Sequence, residues 1–145
     1  MSKTNVFENE FLLNLFNNAT IGLIGDATGL RGSTAAGSLF FSLHTADPGE
    51  AGDQTTSEVT YTSYSRVGRN RNATDFTVTT NAAAVNATVS FPTGTGGSGT
   101  ATHWGLGTSA SAAGKLLYKG AISPTIVTGD GVTPTLASGT VVTED

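Results

Sequence analysis

The two histidines, His44 and His103, are the side chains best suited to proton transfer or metal binding near neutral pH. A Ser–His–Asp triad draws its members from distant positions, so spacing alone is no guide to one. The sequence nevertheless has no G-x-S-x-G nucleophile elbow and no H-E-x-x-H or H-x-H metal pair. Both histidines lie in predicted strands, on the face opposite their large apolar neighbours Leu43 and Trp104. We therefore predict structural or surface histidines and no catalysis.

Residues 94–99 (G-T-G-G-S-G) match the glycine pattern of dinucleotide-binding loops. Dinucleotide binding requires that the glycines be followed by a helix, and that the N-terminus of this helix face the pyrophosphate. The segment 100–107 instead alternates around Trp104, which predicts a strand. We therefore predict a flexible β-turn loop and no cofactor.

Four carboxylates, those of Asp47, Glu50, Asp53 and Glu58, surround the Pro-Gly turn at 46–49. Loop carboxylates and carbonyls bind hard cations, but this spacing matches no calcium loop. We predict a solvated acidic loop without a metal, whose carboxylates could equally meet a basic patch on a partner.

Arg66, Arg69 and Arg71 form the only basic run. Arginine is favoured in interfaces because its planar fork binds carboxylates bidentately. We predict, as a hypothesis, that these arginines contact a partner; the alternative is exposed charges on a strand and hairpin. Even with Arg31 they form only a small patch, and the chain has seven basic residues against eleven acidic ones. Nucleic-acid binding depends on many phosphate contacts and is not expected.

The chain contains no cysteine, which excludes a disulfide framework, a thiolate metal site and a cysteine nucleophile. The N-terminal sequence does not resemble a signal peptide, and no apolar run approaches the roughly 20 residues that cross a bilayer. We expect a protein that is made and kept soluble in a cytoplasm unless an assembly carries it out, with no membrane partner.

One segment near the N-terminus has helical periodicity. Asn5 can act as the N-cap, and Glu8 completes a capping box. Asn17 and Asn18 weaken the helix, and Gly22 ends it. The apolar stripe of this helix lies either on the domain's own core or, as an arm, on another subunit, and its aromatic content favours the arm. The stripe predicted to contact a partner comprises Phe7, Phe11, Leu12, Leu15 and Phe16.

The rest of the chain is rich in glycine and threonine, which fit turns and pleated strands. Short strands separated by turn signals predict a mainly β fold, an antiparallel, jelly-roll-like β-sandwich with one short N-terminal α-helix. No second helix is long enough for a parallel crossover. We predict a helical arm (residues 1–20) and a single β-sandwich domain (residues 21–145). The strand candidates are residues 38–45, 59–64, 66–69, 76–80, 85–91, 101–107, 115–121 and 136–142.

Four stretches carry a resemblance to a known family: residues 36–52 (A-G-S-L-F-F-S-L-H-T-A-D-P-G-E-A-G), 58–67, 91–105 and 114–118. Together they resemble a family of small tailed-phage and prophage virion structural proteins, often labelled phage tail fibre proteins. In size and composition the chain is also similar to the small β-sandwich cement proteins of phage heads. The resemblance covers roughly Phe11 to the C-terminus and implies a virion component, assembled in the bacterial host cytoplasm.

The chain has none of the repeats, coiled coil or β-helix shaft that a long receptor-binding fibre requires. We therefore predict a non-enzymatic capsid cement or decoration protein, which binds the head surface between capsomers and stabilises it. Its expected partners are the major capsid protein and further copies of itself, as a dimer or trimer. One alternative is a tail or head fibre or receptor-binding module. Another is a small carbohydrate-binding or hydrolytic β-domain, with candidate aromatics Trp104, Tyr61, Tyr64 and Tyr118.

Overall fold

The computed structural model describes residues 2–25, 28–30 and 32–144, so Arg31 lies outside the described residues. Within that part of the chain there are one helix and nine strands. The helix is α1 (Asn5–Asn17). The strands are β1 (Ser38–His44), β2 (Val67–Asn70), β3 (Phe76–Thr79), β4 (Ala82–Val85), β5 (Val89–Ser90), β6 (Ser98–Gly107), β7 (Leu116–Gly129), β8 (Thr135–Leu136) and β9 (Val141–Thr143).

Contacts divide the chain into two compact units. The helical unit comprises Met1–Ser38, Asn70–Thr88 and Ala137–Asp145, and the sheet unit comprises Leu39–Arg69 and Val89–Leu136. The predicted boundary between an arm and a single domain at residue 20 stays a prediction.

Helix α1 begins one residue earlier than its predicted cap implies. Thr4 is the N-cap, in extended conformation, and its hydroxyl accepts a hydrogen bond from the Phe7 N–H at 3.5 Å. The helix ends at Asn17 because Asn18 adopts the left-handed conformation (φ 57°) and donates its N–H to the Leu13 carbonyl. Asparagine tolerates this conformation well, so the helix stops before Gly22.

In the helical unit, α1 packs on a three-stranded antiparallel sheet of order β3-β4-β9. Phe76 on β3 pairs with Val85 on β4, and the Phe16 ring meets the Phe76 ring edge-on at a centroid distance of 4.9 Å. Leu12, one helical turn before Phe16, is buried with it. These side chains form the core of this unit.

The sheet unit holds the four-stranded sheet β2-β1-β6-β7 and the two-stranded sheet β5-β8. β1 and β6 pair in antiparallel register, Phe41 opposite Leu106 and Leu43 opposite Trp104. Directly opposed residues share a sheet face, so these four buried side chains form one apolar layer. The prediction of a mainly β fold with one N-terminal helix is confirmed, and the three antiparallel sheets are consistent with a β-sandwich. A jelly-roll connectivity stays a prediction.

The predicted strand at 59–64 does not form. After Glu58 the chain enters a turn, in which Ser63 takes a positive φ of 78° and the Tyr64 N–H bonds the Tyr61 carbonyl. Aromatic residues favour strands in general, but here the buried Tyr61 ring packs across the turn on the half-buried Tyr64 ring, with centroids 5.4 Å apart. The candidates at 85–91 and 136–142 each divide into two strands, and β7 extends to Gly129.

The glycine-rich segment 94–99 runs into strand β6, which begins at Ser98, and not into a helix. Gly97 has a φ of +76°, and its α-carbon faces the Tyr61 backbone so closely that a side chain there would crowd it. Glycine at this position therefore allows the chain to make a tight turn. No helix among the described residues is both long enough and apolar enough to cross a membrane.

Candidate interaction surfaces

The predicted apolar stripe of α1 is divided between the core and the surface. Leu12 and Phe16 are buried in the helical unit, and Leu15 is half-buried. Phe7 and Phe11, by contrast, are each 37% exposed, with ring centroids 6.4 Å apart, and Val6 is 70% exposed. The stripe is wider than the face that the unit can cover. We call Val6, Phe7 and Phe11 the aromatic stripe.

Arg71, predicted to contact a partner, is engaged within the helical unit. Its guanidinium donates to the carbonyls of Leu15 (2.5 Å), Asn14 (2.6 Å) and Ala36 (3.0 Å). Two of these belong to the last turn of α1, where carbonyls lack helical partners and a cation is favoured. Burial lowers the pKa of Arg71, although a guanidinium keeps its proton in proteins. Arg71 therefore holds the end of α1 and the connector at Ala36 together.

Arg66 is engaged within the sheet unit. Its side chain is 3% exposed and forms a bidentate ion pair with Glu58, at 2.7 and 2.8 Å, and a third bond to the Ser109 carbonyl at 3.0 Å. The Tyr64 hydroxyl donates to the same carboxylate at 2.8 Å and accepts from the Leu43 N–H. Hydrogen bonding to Glu58 raises the pKa of Arg66, and burial raises that of Tyr64.

Arg69, the third arginine of the predicted run, donates to the Gly68 carbonyl at 3.1 Å. Arg66 and Arg71 meanwhile bond acceptors in different units. The three side chains are thus used separately, and the hypothesis that they contact a partner remains a prediction.

His44 is fully buried on β1, which agrees with its predicted structural role. One ring nitrogen, Nδ1, lies 2.8 Å from the Thr56 carbonyl, and Nε2 lies 2.8 Å from the Ser42 hydroxyl. A carbonyl can only accept, so Nδ1 carries the proton and Nε2 accepts from Ser42. Burial lowers the pKa of His44. His103 lies opposite His44 in the register, half-buried, with Nδ1 2.9 Å from the Thr102 hydroxyl.

Gln54 is a structural residue that the sequence analysis missed. It is fully buried, accepts from the Ser109 N–H at 2.9 Å, and donates its own backbone N–H to the Gly114 carbonyl. Its amide also occupies the space that a side chain at Gly107 would need. Nothing in the polar stretch around residue 54 marks this glutamine, because its partners come from distant parts of the chain.

The four loop carboxylates do not share one partner: two of them pair with Lys119, and Glu58 pairs with Arg66. Asp47 and Glu50 pair with Lys119, at 3.0 and 3.2 Å, while Asp53 accepts from its neighbours Thr55 and Thr56. Hydrogen bonds lower the pKa of both aspartates, chiefly the Gly49 N–H for Asp47 and the Thr55 hydroxyl for Asp53. No group of side chains suited to a metal occurs among the described residues.

A shallow groove of about 320 Å³ lies between this loop and β7. Tyr118 lines the groove, whereas Tyr61, Tyr64 and Trp104 are buried or nearly so. The Tyr61 hydroxyl donates to the Pro92 carbonyl at 2.8 Å. Tyr64 also borders a second groove, of about 250 Å³, beside Arg66 and Ser111. Two of the four candidate aromatics therefore line surface grooves, and the other two are buried.

Exposed large apolar side chains are concentrated in one unit. Of eight among the described residues, seven belong to the helical unit, and Val127 belongs to the sheet unit. Large exposed apolar surface indicates contact with other molecules. The seven are Val6, Phe7, Phe11, Leu23, Ile24, Leu30 and Val141.

These features define a β-rich protein. Its buried polar side chains form hydrogen bonds within its own fold, and its exposed apolar side chains are available for contact with other molecules. Residues 5–143 match the family described as podophage GP4 fiber I protein gp80, and the chain belongs to this family. It is thus a phage virion structural protein of the fibre type, as the resemblance of its motifs predicts. A search of curated proteins yields no match. The family description is closer to the fibre alternative than to the cement or decoration role.

Proposed function

We propose that this chain is a structural module of a podophage fibre, which does no chemistry and is held in the virion by contacts with neighbouring subunits. The observation that carries the proposal is the match to the fibre family over residues 5–143. Nothing in the geometry favours the cement arrangement over it, so a fibre position replaces the head surface as the expected location.

The aromatic stripe supports contact with a neighbouring subunit. Arg71 anchors the last turn of α1, and the Asn9 amide donates to the Thr80 carbonyl at 3.0 Å. The helix is therefore fixed, and it presents Phe7 and Phe11 without a further ordering cost. Each phenylalanine can bury about 150 Å² or more, so a partner that covers both gains substantial apolar contact.

The arrangement around His44 supports a role without catalysis. Both of its ring nitrogens are already bonded, to Ser42 and to the Thr56 carbonyl. His44 and Ser42 are fully buried, so the pair that resembles part of a catalytic triad has no access to a substrate. We expect His44→Gln virions to lose no enzymatic step, and any loss of infectivity to follow the stability of the chain.

Position and copy number in purified particles test the proposal. A peptide tag at the C-terminus, located by electron microscopy, should mark fibres, and quantitative mass spectrometry should find far fewer copies than of the shell subunit. A label spread over the head, at a copy number comparable to the shell subunit, would show the cement role and a contact with the major capsid protein.

Substitution of the aromatic stripe tests the contact more directly than deletion of the helix, because removing α1 would also uncover Phe76 in the core. Phe7→Ser/Phe11→Ser should fold but be absent from particles. The matched control is Val127→Ser, an exposed apolar residue of the sheet unit, which should be incorporated normally. Equal incorporation of both variants would contradict a role for the stripe.

A further inference from the structure

Glu8 on α1 is a buried carboxylate that the fold of the free chain does not use. It is 5% exposed, and its side chain forms no hydrogen bond or ion pair with the described residues. The mostly buried Glu58, by contrast, is bonded by Arg66 and Tyr64. A buried charge without a partner costs free energy, and a place in the first turn of a helix offsets only part of that cost. The Glu8 carboxylate is therefore available to a donor from outside the chain.

Glu8 lies where the buried face of α1 meets the aromatic stripe. Residues three and four apart are neighbours on a helix surface, so Glu8 is flanked by Phe11 and Leu12. Leu12 is fully buried, whereas Phe11 is 37% exposed and its ring centroid lies 6.4 Å from that of Phe7. A molecule that covers the two phenylalanines therefore also meets the edge of the helix at which Glu8 lies.

The charge of α1 indicates what kind of molecule this is. Its 13 residues include Glu8 and Glu10 and no lysine or arginine. These carboxylates repel anionic lipid headgroups and nucleic-acid phosphates. A hard cation needs several oxygen ligands, and the described residues form no such group. A cationic side chain of a protein is the complementary partner, since a guanidinium bonds a carboxylate and also stacks on aromatic rings.

The cations of this chain are a poor source of that side chain. Apart from Lys115, each lysine and arginine among the described residues already bonds an acceptor within its own chain. These are Lys3, Arg66, Arg69, Arg71 and Lys119. Lys115 is exposed, but it follows the stretch 108–114 (T-S-A-S-A-A-G), which has no large apolar side chain to pack on phenylalanine. The cation is therefore expected from a different protein of the particle.

We propose that a segment of another virion protein docks on α1, with apolar side chains on Phe7 and Phe11 and an arginine or lysine bonded to the Glu8 carboxylate. This inference rests on the proposed function and deepens it, since it gives the chemistry of the neighbour that covers the aromatic stripe. A charge-assisted hydrogen bond is stronger in a site shielded from water than at an open surface. The ion pair thus supplies specificity, and the phenylalanines supply apolar contact.

Removal of the Glu8 charge separates this role from a structural one. Glu8→Gln and the original chain are produced together in infected cells, and mass spectrometry measures their ratio in purified particles. We expect E8Q to be incorporated about tenfold less than its share of production, because the neighbour's cation loses its partner. The urea midpoint of isolated E8Q should be unchanged or higher, because the charge has no partner in the free chain. Glu50→Gln, an exposed carboxylate of the sheet unit, is the matched control and should be incorporated in proportion to its production.

Photo-crosslinking in intact particles identifies the neighbour. Phe11 is replaced by p-benzoylphenylalanine, a photoreactive aromatic residue of similar shape. We expect a crosslink to a segment of another virion protein that has a lysine or arginine within a few residues of the crosslinked position. The yield of this crosslink should fall several-fold when E8Q is added to the same chain.

The other outcomes overturn the inference. These are normal incorporation of E8Q, or a loss of incorporation that accompanies a lower urea midpoint, which would make Glu8 a structural residue. A crosslink to a second copy of this chain or to a segment without a cation would do the same, as would the absence of any crosslink. The tag experiment reads the position in the particle independently, so the proposed function would stand in each of these cases. A label spread over the head would contradict the fibre position even if E8Q behaved as expected.

Discussion

In the helical unit, large apolar side chains reach the surface, whereas in the sheet unit polar side chains are drawn inside. The seven exposed apolar residues of the helical unit have a single counterpart, Val127, in the sheet unit. Among the described residues, buried polar side chains show the opposite distribution, with Glu8 in the helical unit and five in the sheet unit: Ser42, His44, Gln54, Arg66 and Thr128.

The two units therefore differ in what their side chains do: those of the sheet unit stabilise the fold, and those of the helical unit leave surface for contact with other molecules. In the sheet unit, hydrogen-bonded polar groups fix the loop from 45 to 58 onto the sheet, through His44, Gln54 and Glu58. Buried polar networks of this kind stabilise only when every member is satisfied. Among the described residues, the helical unit has fewer buried polar side chains and leaves apolar surface uncovered, so covering that surface by a partner adds stability to the assembled state.

The largest effect is expected from breaking the polar core of the sheet unit. Arg66→Met removes the cation that satisfies Glu58 and should lower the free energy of unfolding by about 3 kcal/mol, because a mostly buried carboxylate loses its partner. Urea unfolding measures the change. Lys115→Met, an exposed cation of the same unit, is the matched control and should change stability by less than about 0.5 kcal/mol. Similar values for both variants would contradict a structural role for the ion pair.

A somewhat smaller effect is expected from removing Arg71, the half-buried cation that bonds the end of α1 in the helical unit. Arg71→Met leaves the carbonyls of Asn14, Leu15 and Ala36 without their donor and should cost about 2 kcal/mol. Hydrogen exchange is measured under conditions that give the variant and the original protein the same global stability. The last turn of α1 should then exchange faster in the variant, while the amides of β1 and β6 keep their protection. Unchanged exchange in α1 would show that the helix does not depend on Arg71.

The pH dependence of stability should distinguish the two units further. Burial sets the pKa of His44 below its unfolded value of 6.5. In the pH range between these two values the unfolded chain binds a proton that the folded chain does not, so stability is complete above pH 6.5 and falls as the pH is lowered from there. The ionisable groups that act on His44 are Glu58, Arg66 and His103.

Urea unfolding at pH 7.5 and 5.5 measures this slope. His44→Gln should flatten it, whatever its effect on absolute stability, whereas His103→Gln keeps His44 and should retain it. A slope that persists in H44Q would assign the pH dependence to another group.

The smallest effect should be an increase in stability. The Thr128 hydroxyl is buried and has no hydrogen-bond partner among the described residues. Thr128→Val keeps the shape and removes the unsatisfied group, so it should raise the free energy of unfolding by about 1 kcal/mol. Thr100→Val, at an exposed position of β6, is the control and should be close to neutral. A loss of stability in T128V would mean that its hydroxyl has a partner.

The regular elements were the most predictable part of the molecule. Strand β1 and helix α1 follow from periodicity, because the alternation around Leu39, Phe41 and Leu43 and the spacing around Leu12 and Phe16 are local properties. The segment 59–64 was predicted wrongly, since its strand-forming side chains are used instead to pack a turn. The motifs of residues 36–52 and 91–105 were also sufficient to indicate a virion structural protein.

The β-rich class, the single helix and the phage virion family thus follow from the sequence alone, because composition, periodicity and short motifs are local properties of the chain. Only the tertiary structure decided that Arg66 bonds Glu58, that Arg71 holds the end of α1, and that the apolar stripe divides between core and surface. The Arg66–Glu58 pair depends on the turn that brings two nearby residues together, and the Arg71 bonds to α1 join residues more than 50 positions apart. Burial depends on how the whole chain packs, which no single segment determines.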